Sequence, residues 1–224
     1  MSKHLQNAIE ELKGKVLFLG SVVEASLRHA VESVEKRDAQ LAERVIAGDA
    51  EVDRLEVNIE EECLKMLALY QPVAADLRFI VAVVKLNSDL ERIGDQAVGI
   101  AEQSAYLASQ RRIELPTGIR LMGEKAAWMV KSALDALIRR DPELARRVCA
   151  ADDEIDTLKR DMLLWIEDAI AGNMGDLDLY IRALTIPRKL ERIGDHATNI
   201  AEDVIYMTEG SIVRHLPCDS RQPV

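Results

Sequence analysis

The chain has 224 residues, of which 48% are hydrophobic, 30% charged and only 4% aromatic, and it carries a formal net charge of −10. An acidic excess of that size excludes a protein that grips DNA by neutralising its phosphates, and so few aromatic residues speak against a sandwich or barrel and for long amphipathic helices. No apolar run reaches the length needed to span a bilayer, and the charged start MSKHLQNAIEELKGKVLFLG does not read as a signal peptide.

In chain order, a first helix is expected to end at Arg37-Asp38. A second carries apolar residues at helical spacing, Leu41, Val45, Val52, Leu55 and Ile59, and ends at Gln71-Pro72. A third begins near Asp76 and contains LERIGDQAVGIAE at 90–102, after which Leu115-Pro116-Thr117-Gly118 marks a break. A fourth helix ends at Arg140-Asp141-Pro142, where Asp141 reads as an N-cap and Pro142 as the first helical residue. The fifth places Leu144, Val148, Ile155, Leu158 and Met162 on one face and runs out at Ala171-Gly172-Asn173-Met174-Gly175. A sixth starts near Asp176 and contains LERIGDHATNIAE at 190–202. Residues 211–224, with two prolines and no periodicity, read as a loose tail.

The chain therefore repeats itself. Residues 38–56 align with 141–159 at an offset of 103, and 76–95 align with 176–195 at an offset of 100. Helices of about 30 residues rise about 45 Å, so the expected fold is all-α: two tandem, pseudo-symmetric three-helix bundles of long antiparallel helices. The expected division is 1–114, 115–210 and a tail at 211–224, with the backbone of 38–109 superposing on that of 141–208.

Inside the repeat, acidic residues recur at a spacing of four, which sets them one turn apart on the same helix face. Glu91 and Asp95 in the third helix return as Glu191 and Asp195, while Asp49 and Asp53 in the second return as Asp152 and Asp156. A solvated surface would let such pairs drift, as Ala50 against Asp153 and Arg54 against Thr157 have drifted. If the second and third helices of each half are antiparallel neighbours, four carboxylates face one another across a groove and call for cations. Hard carboxylate oxygens without matching histidine or cysteine favour Fe(III), Mn, Mg or Ca, with Zn admissible and more than one ion per groove best balancing the charge.

Gly94 and Gly194 fit a close approach beside the acidic pair, either of a ligand or of a tightly crossing helix, since glycine in mid-helix costs about 1 kcal/mol relative to alanine. Arg92 and Arg192 are either partners of the carboxylates or exposed charges. Glu56 would extend the first groove, but its counterpart is Lys159, so it is left out of the ligand set. His196 faces Gln96 in the other copy and reads as a polar flank. Three widely spaced cysteines, Cys63, Cys149 and Cys218, form no disulfide framework, which suits a reducing cytoplasm; Cys63 and Cys149 align with Ile166 and Ile46 and read as core residues.

Twin LERIGD helices each followed by IAE, a DxxxD on the preceding helix, and QPVAADLR before the first copy together resemble the PhoU family of phosphate-uptake regulators, over nearly the whole chain. The resemblance implies multinuclear metal clusters on the acidic motifs, with Asp49, Asp53, Glu91, Asp95, Asp152, Asp156, Glu191 and Asp195 as ligands, in a cytoplasmic protein that is often a homodimer. It further implies a negative regulator of phosphate uptake and of phosphate-starvation (Pho regulon) signalling. Such a regulator acts at the membrane only through partners, the ATPase subunit of the phosphate transporter and a sensor histidine kinase. Two other classes remain to be weighed: a metal-free helical adaptor or phosphotransfer bundle using His29 or His196, and a carboxylate-bridged di-iron enzyme. The latter ordinarily uses Glu-x-x-His, which does not occur in this chain. No nucleophile motif points to an enzyme.

Overall fold

A computed structural model describes residues 3–210; the tail at 211–224, with Cys218, lies outside the described residues. Seven α-helices follow one another: α1 Lys3–Lys36, α2 Ala39–Tyr70, α3 Ala74–Ser109, α4 Gly118–Arg139, α5 Pro142–Gly172, α6 Leu177–Ala183 and α7 Thr185–Glu209. They form two three-helix bundles, α1–α3 and α4–α7.

The repeated turn explains why the two halves begin their second helices alike. Arg37 and Arg140 both adopt left-handed backbone at φ 53, and the following aspartate closes the preceding helix through its N–H: Asp38 donates to Ser33 O and Asp141 to Ala136 O. Each aspartate then starts the next helix as its N-cap, with Asp38 Oδ1 accepting from Leu41 N at 2.9 Å and Asp141 Oδ1 accepting from Leu144 N at 3.0 Å. Pro142 takes the first helical position, where its missing N–H leaves no bond unmade.

One expectation needs refinement. The third helix of the second half is not one straight element: a 3-10 turn at Met174–Asp176 precedes α6, and α6 gives way to α7 at Leu184. Pro187, the third residue of α7, cannot donate back to Ala183, so the helix restarts around it. Its counterpart in α3 is Asn87, and α3 is continuous.

The bundles lie side by side, and their buried apolar residues form one continuous core. Helices α1 and α4 run antiparallel, as do α3 and α7, and the contacts follow the repeat. A Cβ added to Gly20 would stand 2.2 Å from Leu134 Cδ1, and one added to Gly123 would stand 2.7 Å from Val31 Cγ2. Gly20 and Gly123 are related by the offset of 103, and so are Val31 and Leu134; these are one notch-and-knob contact met twice across a pseudo-twofold axis. The α3–α7 seam behaves likewise, with Gly99 against Lys189 and Asp89 beside Asn199, each pair the other's counterpart at an offset of 100.

Valine in a helix has one strongly preferred rotamer and cannot swing clear, whereas a leucine tip can. Gly123→Ala is therefore expected to lower the melting temperature, its overpacking cost of about 1–3 kcal/mol exceeding the gain in helix propensity. Gly14→Ala, in α1 with nothing within 4 Å of the added Cβ, is expected to raise stability by up to about 1 kcal/mol. Thermal unfolding of the two variants beside the parent checks both signs.

Candidate metal centre

Helix α2 presents Asp49, Asp53 and Glu56 at positions i, i+4 and i+7, a single face. That face meets α3 at Gly94. A Cβ there would lie 3.2 Å from Val52 Cγ1 and 3.8 Å from Asp49 Oδ1, so the glycine allows a tight helix crossing and in doing so lays the Asp49 carboxylate over the α3 backbone. The second half repeats the arrangement: a Cβ on Gly194 would lie 3.3 Å from Ile155 Cδ1 and 3.6 Å from Asp152 Oδ1.

Exposure alternates along each groove. Asp49, Glu91, Asp152 and Glu191 are half-buried, while Asp53, Asp95, Asp156 and Asp195 stand at an exposed rim. Burial pushes the Asp49 carboxyl above its ordinary range, and Asp53 and Asp95 push it further. Glu91 is raised by burial and then by Asp95, Asp53 and Glu56. In the second half Asp152 is raised to about 6, first by burial and then by Asp195, Asp156, Asp153 and Glu191. Asp195 is raised by partial desolvation, then by Glu191 and Asp156. Carboxylates from both helices thus act on one another across each groove, as like charges crowded at a half-buried surface must.

The two grooves differ in what faces these charges. Lys159 Nζ donates to Glu191 Oε1 at 2.6 Å and to Asp156 Oδ1 at 3.2 Å, and the bond to Glu191 holds the ammonium above its ordinary pKa. Among the described residues none of Asp49, Asp53, Glu91 or Asp95 has a cationic side chain within salt-bridge range. Glu56 extends the first groove along the same α2 face, as its step of seven from Asp49 implies: Asn87 Nδ2 donates to its carboxylate at 3.1 Å and to its backbone carbonyl at 2.8 Å.

The first groove brings carboxylate oxygens from two helices to one half-buried surface, the donor chemistry that hard cations take, and its crossing at Gly94 is filled by Val52 and the Asp49 carboxylate. The second groove offers the same motif but already holds an ammonium. Among the described residues no group of three or more histidine, cysteine, aspartate or glutamate side chains is placed to hold a metal ion together.

Other residues have different work. His196 is buried and its Nδ1 lies 2.8 Å from Asp89 Oδ1 on α3; it ties the bundles together and is poorly placed to exchange phosphate with a partner. Arg92 and Arg192 are exposed. Cys63 and Cys149 sit in the core, and burial raises the Cys63 thiol to about 12, which makes it unreactive. A cavity of about 830 Å³ lined by Arg37, Ile113, Pro116 and Trp165 contains none of the eight carboxylates. No helix among the described residues is long and apolar enough to cross a membrane.

Comparison with known proteins finds the PhoU domain model matching twice, at residues 16–104 and 119–204. The phosphate-specific transport system accessory protein PhoU homolog of Pseudomonas putida is 38% identical over 222 residues, covering 96% of this chain and 85% of that protein. The crystal structure of PhoU from Pseudomonas aeruginosa superposes with a TM-score of 0.87 at 35% identity, covering 92% of this chain and 99% of that one. The phosphate transport system regulatory protein PhoU from Streptococcus pneumoniae gives a TM-score of 0.83 at 28% identity, covering 93% and 99%.

Proposed function

The chain belongs to the PhoU family, and on that premise we propose that it is an accessory protein of phosphate-specific transport that restrains phosphate uptake and phosphate-starvation signalling. It does so in the cytoplasm, as a homodimer, by contact with the ATPase subunit of the transporter and with the sensor histidine kinase, and it reaches the membrane only through them. The observation that carries the reading is the double domain match over nearly the whole chain, in relatives named for the phosphate transport system. The net charge of −10 supports action through protein partners over direct contact with DNA.

The acidic grooves serve this role as metal sites that perform no turnover. Asp49, Asp53, Glu91 and Asp95 hold cations in the first groove, and Asp152, Asp156, Glu191 and Asp195 form the second candidate set. Bound cations offset the facing negative charges. The residues of α2 and α3, and of α5 and α7, are then drawn together at their crossings, which stiffens each bundle's outer surface as a platform for partners.

Deleting the gene is expected to leave phosphate-starvation genes switched on in phosphate-rich medium, and purified protein is expected to bind the transporter ATPase or the kinase in pull-downs from phosphate-replete cells. Normal repression in the deletion strain together with recovery of neither partner contradicts the proposed role, whatever the fold.

A further inference from the structure

The segment that joins the two halves, 110–117, helps to build a cavity whose residues do not follow the repeat. The cavity, about 830 Å³, is lined by the end of α1, by residues 112–117, by the start of α4 and by Trp165 of α5, so both bundles and their linker contribute to it. Three guanidinium groups, those of Arg37, Arg112 and Arg120, stand against two carboxylates, those of Glu35 and Glu114. In a chain of net charge −10 this is a basic recess.

Arg37 is held in place from one side and left open on the other. Its Nη2 donates to the backbone oxygens of Leu107 and Gln110 at the end of α3, while its Nη1 is buried and has no hydrogen-bond partner among the described residues. A buried charged donor without an acceptor is costly and rare. The counterpart of Arg37, Arg140, is used otherwise, its guanidinium lying 5.9 Å from the centre of the Phe79 ring. Arg112 is exposed and has no carboxylate within salt-bridge range among the described residues, whereas Arg120 is already bound to Glu124 at 2.8 Å. Arg37 and Arg112 are thus the two guanidinium groups with donors to spare, and forked donors of this kind suit phosphate oxygens.

The rest of the lining selects more than an inorganic ion. Ile113, Pro116 and Ile119 are buried apolar walls. Trp165, whose counterpart in the first half is Glu62, keeps 37% of its surface exposed at the cavity, an indole available for a flat ring to stack on. The volume lies in the range of small organic ligands, about 300–1,000 Å³, of which a lone anion would fill a small part. We propose that this cavity binds a small organic phosphate that carries a flat ring, a nucleotide, with Arg37 and Arg112 receiving the phosphate and Trp165 the ring. One molecule binds per chain and ties the linker to both bundles.

Calorimetric titration of the full chain with ATP, in buffer containing EDTA so that metal bound elsewhere takes no part, tests the site, with inorganic phosphate as the second arm. Arg37 also anchors the end of α3, so the exposed Arg112 and Trp165 carry the comparison. ATP is expected to bind once per chain and to quench the fluorescence of Trp165. Trp165→Ala and Arg112→Gln are each expected to weaken binding by about tenfold or more, the scale of a lost stacking or charge-assisted contact, and Trp128→Ala, outside the cavity, to leave it unchanged. Circular dichroism checks that each variant is folded. No binding of ATP at about 1 mM overturns the site. ATP binding that folded Trp165→Ala and Arg112→Gln leave unaltered overturns its location, and inorganic phosphate binding as tightly as ATP overturns the role of the ring.

Discussion

Replacing Asp152 by asparagine is expected to stabilise the metal-stripped protein at pH 7.5 by about 1–3 kcal/mol, which for a chain of this size is about 2–10 °C in melting temperature. Asp152 is half-buried, and its carboxyl is raised from 3.8 to about 6 by burial and then by Asp195 and Asp156. A raised carboxyl binds its proton more tightly in the folded chain than in the unfolded one. Its ionisation therefore withdraws stability as pH rises from about 4 to about 6, and above that window the full cost is present. Asparagine keeps the shape without the charge. The difference in melting temperature between variant and parent is thus expected to be small at pH 4, to grow through pH 6 and to level off at pH 7 and above. A variant no more stable than its parent at pH 7.5 would mean that the groove does not strain the metal-free fold. Such a cost, kept at equivalent positions of both halves, is what a site built for cations leaves behind when the cation is removed.

Much of this was legible in the chain itself. The paired turns at Arg37-Asp38 and Arg140-Asp141 were readable because capping is local: one side chain satisfies one N–H three residues on. Spacing set each acidic pair on one helix face, but that Asp49 and Asp95, or Asp152 and Asp195, act on each other depended on the second and third helices of each half being neighbours. Other features needed the third dimension. The break before α7 had a visible cause in Pro187, but where the helix would restart was not readable from the proline alone. The fit of Val31 into Gly123 and Leu134 onto Gly20 could not be read, since no local rule says which faces of two bundles meet. His196 read as a polar flank because its copy is Gln96; only the α3–α7 seam reveals Asp89 as its partner. The mismatch of Glu56 and Lys159 was plain, but its consequence depends on the reach of a lysine across a groove.

The second large effect concerns the metal itself, and it bears on the central claim that the repeated carboxylates are ligands. Glu91 and Asp95 supply the α3 side of the first groove, and Glu191 and Asp195 the α7 side of the second. All four are exposed or half-buried, so truncating them to alanine opens no core cavity and removes like-charge repulsion, at the cost in the second groove of the Lys159–Glu191 ion pair, and the fold is expected to persist. What disappears is the α3 half of the first acidic set and the α7 half of the second. The remaining aspartates on α2 and α5 sit on single helices and cannot span a groove. Elemental analysis of protein purified without chelator is the direct measurement. The parent is expected to carry metal that dialysis leaves in place and a strong chelator removes, with the Glu91→Ala/Asp95→Ala variant losing about half of it and the variant with Glu191→Ala and Asp195→Ala added losing most of the rest. An unchanged metal content in that fourfold variant, folded by circular dichroism, would contradict the assignment of these carboxylates as ligands.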